Sequence, residues 1–198
     1  MEKNKKNEGY TIIETMIAVS LFLIVIMTGM GALLNANSLH QKSENMRSIV
    51  DNLSFIIEDI SRNLRTGYHY RCIAGLNDLA PAKVGVAQSG QNCLGIAFEY
   101  ANGNPGNNND QWVYYVDNGQ IFKSVQGPYI PSTFIQLTPD EVVVDTNVSG
   151  FSVLGAEGMA KDLQQPFVTI RLVGAINFKG IVTPFSLQTS VSQRLIDI

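Results

Sequence analysis

From Met16 to Leu34 the chain carries no charged residue, and Ser20 and Thr28 are its only hydroxyl-bearing positions. At about 1.5 Å of rise per residue, such a run is long enough to cross the roughly 30 Å of hydrocarbon in a bilayer as a helix. After Leu34 the pattern turns one-sided. Met46, Ile49, Val50, Leu53, Ile56, Ile57, Ile60 and Leu64 recur mostly three and four apart, while Glu44, Arg47, Asp51, Glu58, Asp59 and Arg62 fall mostly between them. That is the stripe of an amphipathic helix. Gly67 supplies a stop, and Arg62 and Arg65 suit the negative end of the helix dipole. The pattern predicts one helix from about Thr11 to Thr66, on the order of 80 Å long. Residues 10–34 would be the transmembrane part and 35–66 an amphipathic continuation that packs on a soluble domain. Gly29 and Gly31 lie inside the span and have two readings, a place where the helix loosens or a close approach by a neighbouring helix.

From Leu94 onward the period shortens to two. Strands are predicted at Leu94–Tyr100, Gln111–Val116, Gln120–Val125, Phe134–Leu137, Val142–Asp145, Phe151–Leu154, Phe167–Val173 and Phe185–Val191. Asn118-Gly119 joins two of them as a tight hairpin, because both residues accept positive φ. Consecutive short strands imply an antiparallel sheet, so the fold class is α+β, with the helix packed on a sheet domain over 67–198. No repeat of solenoid period is present.

Charge adds an orientation. Lys3, Lys5 and Lys6 precede the span, and positive charge tends to stay cytoplasmic, although Lys42 and Arg47 follow it. A cleavable secretory signal would have an apolar region of about 7–15 residues ending in small residues, whereas this run is longer and Glu14 interrupts its start. Removing residues 1–9 takes away three lysines and two glutamates and moves the net charge from −3 to −4. That balance offers no general basic surface to nucleic acid. The 198 residues suffice for one ordinary domain besides a membrane helix.

The stretch Gly9-Tyr10-Thr11-Ile12-Ile13-Glu14 resembles the processing site of type IV prepilins and pseudopilins, whose usual form is glycine, phenylalanine, threonine, leucine, isoleucine, glutamate. Tyr10 and Ile12 are the departures from that form. The resemblance implies a leader of residues 1–9, a prepilin peptidase that cuts between Gly9 and Tyr10 and methylates the new amino terminus of Tyr10, and a role for Glu14 in assembly. The order of helix, meander and closing strand, ending Ser186-Leu187-Gln188-Thr189-Ser190-Val191-Ser192-Gln193-Arg194, is similar to the J-type minor pseudopilins of type II secretion and to related minor pilins. The implied function is structural, as a subunit of a pilus-like or secretion filament. The implied partners are other pilin or pseudopilin subunits, an inner-membrane assembly platform and the lipid bilayer. The implied location is the inner membrane, crossed once with the N-terminus cytoplasmic. The alternative is a membrane-anchored extracytoplasmic module that binds a ligand or DNA.

Glu14 has a chemical reason to act in assembly, since a carboxylate at the edge of an uncharged span gains most from an ammonium partner, here the cleaved terminus of a neighbour. Its alternative is an interfacial glutamate that reaches cytoplasmic water. Cys72 and Cys93 both follow the span, where a disulfide is permitted, and they bracket a glycine- and proline-bearing loop. A disulfide is expected, with two buried free thiols as the alternative. Two thiols and two scattered histidines, His40 and His69, make no metal site, and no cofactor is expected. The segment from Asn102 to Asp110 is rich in oxygen, as calcium loops are, but it holds one carboxylate and lacks EF-hand spacing, so it reads as a hairpin loop. Arg62, Arg65, Tyr68, His69, Tyr70 and Arg71 mix basic and aromatic residues in the manner of single-strand binders, yet they lie at a helix end where dipole and packing explain them. Trp112 and Tyr114 share one strand face and read as sheet packing. No HExxH, GxSxG or P-loop pattern is present, and no enzymatic activity is expected.

Overall fold

The computed structural model describes residues 9–75, 78, 86–104, 106–127, 131–157 and 164–194, so that most of the expected leader lies outside it. The chain divides into two compact units, Met1–Asn45 and Met46–Ile198. The helix α1 runs unbroken over Ile12–Thr66, 55 residues. Its start and stop fall within a residue of the predicted ones, because Thr11 caps the start, Gly67 follows the end and no proline lies between them.

Within the second unit, α1 is followed by β1 (Tyr68–Ile73), β2 (Gly90–Cys93), β3 (Gly95–Glu99), β4 (Trp112–Asp117), β5 (Gln120–Ser124), β6 (Ile135–Gln136), β7 (Val142–Val144), β8 (Gly150–Leu154), β9 (Phe167–Phe178) and β10 (Ile181–Ser192). The class is α+β, and the strands divide between two antiparallel sheets. One has the order β1-β3-β4-β5-β6, in which β3 to β6 form a meander. The other has the order β10-β9-β8-β2, with β7 paired to β9 beside β8. Asn118 (φ 48°) and Gly119 (φ 78°) make the two-residue turn between β4 and β5, as the Asn-Gly signal requires. A second tight turn, Lys179 (φ 47°) and Gly180 (φ 80°), joins β9 to β10.

Three sequence expectations are corrected, and the stop at Gly67 holds for a reason other than a positive φ. The strands predicted at Phe167–Val173 and Phe185–Val191 are the far portions of a longer hairpin, paired without a break from Phe167↔Ser192 to Phe178↔Ile181. The chain tolerates Pro184 there because β10 is an edge strand. Strands β1 and β2, which the alternation did not announce, are interrupted by register shifts, with His69 (φ 58°) and Asn92 (φ 55°) at positive φ inside them. Gly67 has no positive φ. It follows the helix because a Cβ there would collide with the Phe98 ring, while its N–H donates to the Asn63 carbonyl at 3.0 Å. Val50, expected on the buried face, is 40% exposed.

The main core is a single cluster shared by the helix and both sheets. Ile49, Leu53, Ile56, Ile60 and Leu64 of α1 meet Ile96, Phe98, Tyr114 and Ile121 of the first sheet and Phe151, Val153, Ile170 and Leu172 of the second. The opposite face of the first sheet carries a smaller cluster of Ile73, Ala97, Val113 and Tyr115. Edge strands β1 and β2 join the two sheets. Cys72 and Cys93 form a disulfide with Cα atoms 5.5 Å apart, and Gln88 exchanges backbone hydrogen bonds of 3.0 Å with Tyr70 and Cys72. The last turn of α1 is held by later chain. The Arg65 carbonyl accepts the Arg194 N–H at 2.9 Å, and the buried Tyr70 hydroxyl bonds the Gly67 carbonyl at 2.7 Å.

Leu53, with no exposed surface, and Val50 lie three residues apart on the same helix and separate burial from helix propensity. Leu53→Ala should lower the unfolding free energy by about 2–5 kcal/mol, and Val50→Ala by less than about 1 kcal/mol. Urea unfolding of the detergent-solubilised chain at neutral pH reads both.

Candidate functional site at the start of the helix

Thr11 opens α1. Its carbonyl accepts the N–H groups of Glu14 at 3.1 Å and Thr15 at 3.2 Å, and its hydroxyl oxygen accepts the Glu14 N–H at 3.4 Å. Thr11 is therefore the N-cap, and Glu14 stands three residues on, where a capping box places its acid. A carboxylate there also faces the positive end of the helix dipole. Glu14 is solvent-exposed and bears the one acidic side chain in the first turn. Tyr10 is 82% exposed and precedes the cap, and Gly9 beside it is exposed too. The structure thus puts Gly9, Tyr10 and Glu14 within one accessible stretch of chain. The Thr11 cap was not foreseen, although its signal, a threonine before the apolar run with glutamate three residues on, stood in the sequence.

The next turns are apolar on every side. The most apolar window of α1 has a mean hydropathy of 2.5, and none of it is buried within the protein. The helix is long and apolar enough to cross a membrane once. Its hydroxyls fit the same environment. Thr15 donates to the Ile12 carbonyl at 2.8 Å, Ser20 to Met16 at 2.8 Å, and Thr28 to Ile24 at 2.9 Å. Each is satisfied inside the helix, which a medium without water demands. Gly29 and Gly31 stay helical and have nothing within 4 Å of where a Cβ would stand.

Four of the basic and aromatic residues at the helix end are engaged within the protein. Arg62 pairs with Glu58 at 3.0 Å, the Tyr68 hydroxyl donates to the Gly103 carbonyl at 2.7 Å, Tyr70 is buried, and Arg71 is 5% exposed with its guanidinium on the Val86 carbonyl at 2.9 Å. Burial pulls the Arg71 guanidinium below its ordinary pKa, and Asp78 opposes that pull. Trp112 stacks on Tyr100 with ring centroids 4.9 Å apart, and Lys123 lies 4.6 Å from the Trp112 centroid. Tyr114 turns to the helix, as sheet packing predicts.

Tyr114 also belongs to a polar network that the sequence reading missed. Asp59 of α1 accepts Lys123 of β5 at 2.9 Å, Tyr114 at 3.0 Å and Asn63 at 3.0 Å. Asn63 in turn donates to the Tyr114 hydroxyl at 2.8 Å. Burial pushes the Asp59 carboxyl up, but the hydrogen bonds from Lys123 and Tyr114 and the charge of Lys123 outweigh it, so Asp59 sits below its usual value. Burial first, then Asp59, push the Tyr114 phenol up. Asp59 looked like one more solvated charge between apolar helix positions, and nothing local pointed to Lys123.

Compared with known proteins, the chain matches no family model, no curated protein and no solved structure.

Because the folded pKa of Asp59 lies below its unfolded value of about 3.9, its contribution is complete above that value and fades as the pH falls through the folded pKa. Asp59→Asn should cost about 1–3 kcal/mol at pH 7, and the gap from wild type should narrow below about pH 4. Urea unfolding at pH 7 and pH 3 checks this, and a gap of constant size would contradict it.

Proposed function

We propose that this chain is a structural subunit, a minor pseudopilin or minor pilin, of a type IV pilus-like or type II secretion filament. In this reading prepilin peptidase removes residues 1–9 and methylates the amino terminus of Tyr10. Residues 10–34 hold the subunit in the inner membrane with the N-terminus cytoplasmic, and the domain from 67 onward is extracytoplasmic. An assembly platform then moves the subunit into the filament beside other pilin-like subunits. The observation that carries the reading is Glu14, an exposed carboxylate in the first turn of a helix whose next hydroxyls are all bonded internally and whose apolar window has no cover of its own. A lone carboxylate at the edge of such a helix is costly in lipid and calls for a cationic partner. The α-amino group of a processed neighbour, with a pKa of about 7.7–8.0, is such a cation at neutral pH.

The anchored binding module remains the second reading, and it needs neither cleavage at Gly9 nor a charge at position 14. Glu14→Ala removes the whole carboxylate but keeps the N–H that Thr11 accepts, whereas Glu14→Gln keeps the length and shape of the side chain and removes only the charge. In the native host both variants should be cleaved as wild type is and inserted into the membrane, with filament incorporation reduced at least about tenfold, the effect of about 1.4 kcal/mol on an equilibrium. Quantitative blotting of membrane and sheared-filament fractions measures each step. Wild-type incorporation of Glu14→Gln would remove the assembly role.

A further inference from the structure

We infer that the free edge of β10, from Pro184 to Ser190, takes an extended segment of another protein as an added strand, apolar on its inner side and acidic on its outer side. The inference stands apart from the filament reading, since it concerns the sheet domain and needs neither cleavage at Gly9 nor a charge on Glu14. β10 ends its sheet and pairs with β9 alone, without a bulge. No backbone group of Ile181–Ser192 bonds to any other described part of the chain. Free edges are ordinarily blunted by lysine, proline, a bulge or a short strand. At 12 residues β10 is long for a strand, it carries no charged residue, and its one proline, Pro184, stands near its start.

Pro184 also shows which groups are open. It has no N–H, yet the pairing with β9 continues on both sides of it, so its nitrogen points away from β9. Backbone groups in an antiparallel pair alternate in direction, which sends the N–H and C=O of Ser186, Gln188 and Ser190 outward as well. Donors and acceptors in such a row match another extended backbone.

Two further features define the incoming strand. On the inner face, Phe185 and Leu187 reach the core but are only half-buried, because no described strand lies beyond them. Apolar side chains at alternate positions of an added strand would cover them. On the outer face of β8, β9 and β10 the one charge is Arg171. It is exposed, has Gly150 and Gln188 as cross-strand neighbours, and makes no ion pair among the described residues. A carboxylate placed opposite Gln188 would share that face two strand spacings away, about 10 Å between backbones, a gap that arginine and glutamate side chains span together. A second copy of this chain is the poorer occupant. Paired antiparallel to itself, β10 would bring no carboxylate and would add another Arg171 to the same face.

The test uses the full chain in detergent micelles and a labelled, end-capped heptapeptide in which threonine alternates with valine and the third residue is glutamate. Fluorescence anisotropy should show saturable binding, and amide hydrogen exchange at Ser186, Gln188 and Ser190 should slow when the peptide is bound. Gln188→Pro removes one outward N–H as Pro184 does, and should weaken binding at least about tenfold while a thermal melt shows it folded. Arg171→Glu, at an exposed position, should weaken binding about two- to fivefold, and a peptide with lysine in place of glutamate should recover it. This charge exchange and the three amides decide the matter should Gln188→Pro not fold. Absence of saturable binding, unchanged exchange at the three amides, or indifference of binding to the charge at position 171 would overturn the inference. So would equal binding by a folded Gln188→Pro, or a wild-type dimer that Gln188→Pro turns into a monomer, which would give the edge to a second copy.

Discussion

Five aliphatic side chains on one stripe of α1, from Ile49 to Leu64, lie in contact with both sheets at once. Each sheet presents an apolar inner face that must leave water, and the stripe is what both faces meet. At about 25 cal/mol per Å² of apolar surface, burial of this kind is the dominant stabilising term. It is not directional, and direction comes from polar contacts at its margin. The Asp59–Lys123–Tyr114–Asn63 network fixes how the first sheet lies on the helix. The disulfide and the Gln88 bonds fix how the sheet edges meet, and Arg194 returns the end of the chain to the last turn of α1.

One helix therefore satisfies two different constraints along its length. Over its second half it needs a single apolar stripe and tolerates charge elsewhere, and Glu58, Asp59 and Arg62 occupy the remaining surface. Over its first half every side is apolar, and the few hydroxyls bond back to their own turns. Glu14 stands in the first turn, at the outer edge of the apolar half. Its backbone is needed by the Thr11 cap, but a cap requires only a side chain such as glutamine there, and the negative charge is left for another partner. That separation between shape and charge is the physical content of the proposed assembly role.

Elements with an uninterrupted period were legible in the sequence. The helix was readable to within a residue because no proline lies between Thr11 and Gly67, and the β4–β5 hairpin because Asn118-Gly119 has few conformations other than the turn it makes. The β9–β10 hairpin was read short. Gly174 and Pro184 look like breakers, yet pairing across a long edge overrides them. Strands β1 and β2 were hidden by bulges that put two successive side chains out of alternation. In the candidate sites, Gly9, Tyr10 and Glu14 were readable because they are neighbours in sequence. Asp59 and Lys123 become partners only when a strand far along the chain is brought onto the helix, and no local pattern encodes that.

The central claim is that α1 is the membrane-borne, processed arm of an assembling subunit, and the amino terminus of the mature chain tests it most directly. Intact-mass and N-terminal peptide analysis of protein extracted from native membranes should find a chain that begins at N-methyl-Tyr10 and keeps the whole apolar run. A mature chain beginning beyond Leu34, or one that retains Met1–Gly9 in cells with an active prepilin peptidase, would contradict the account.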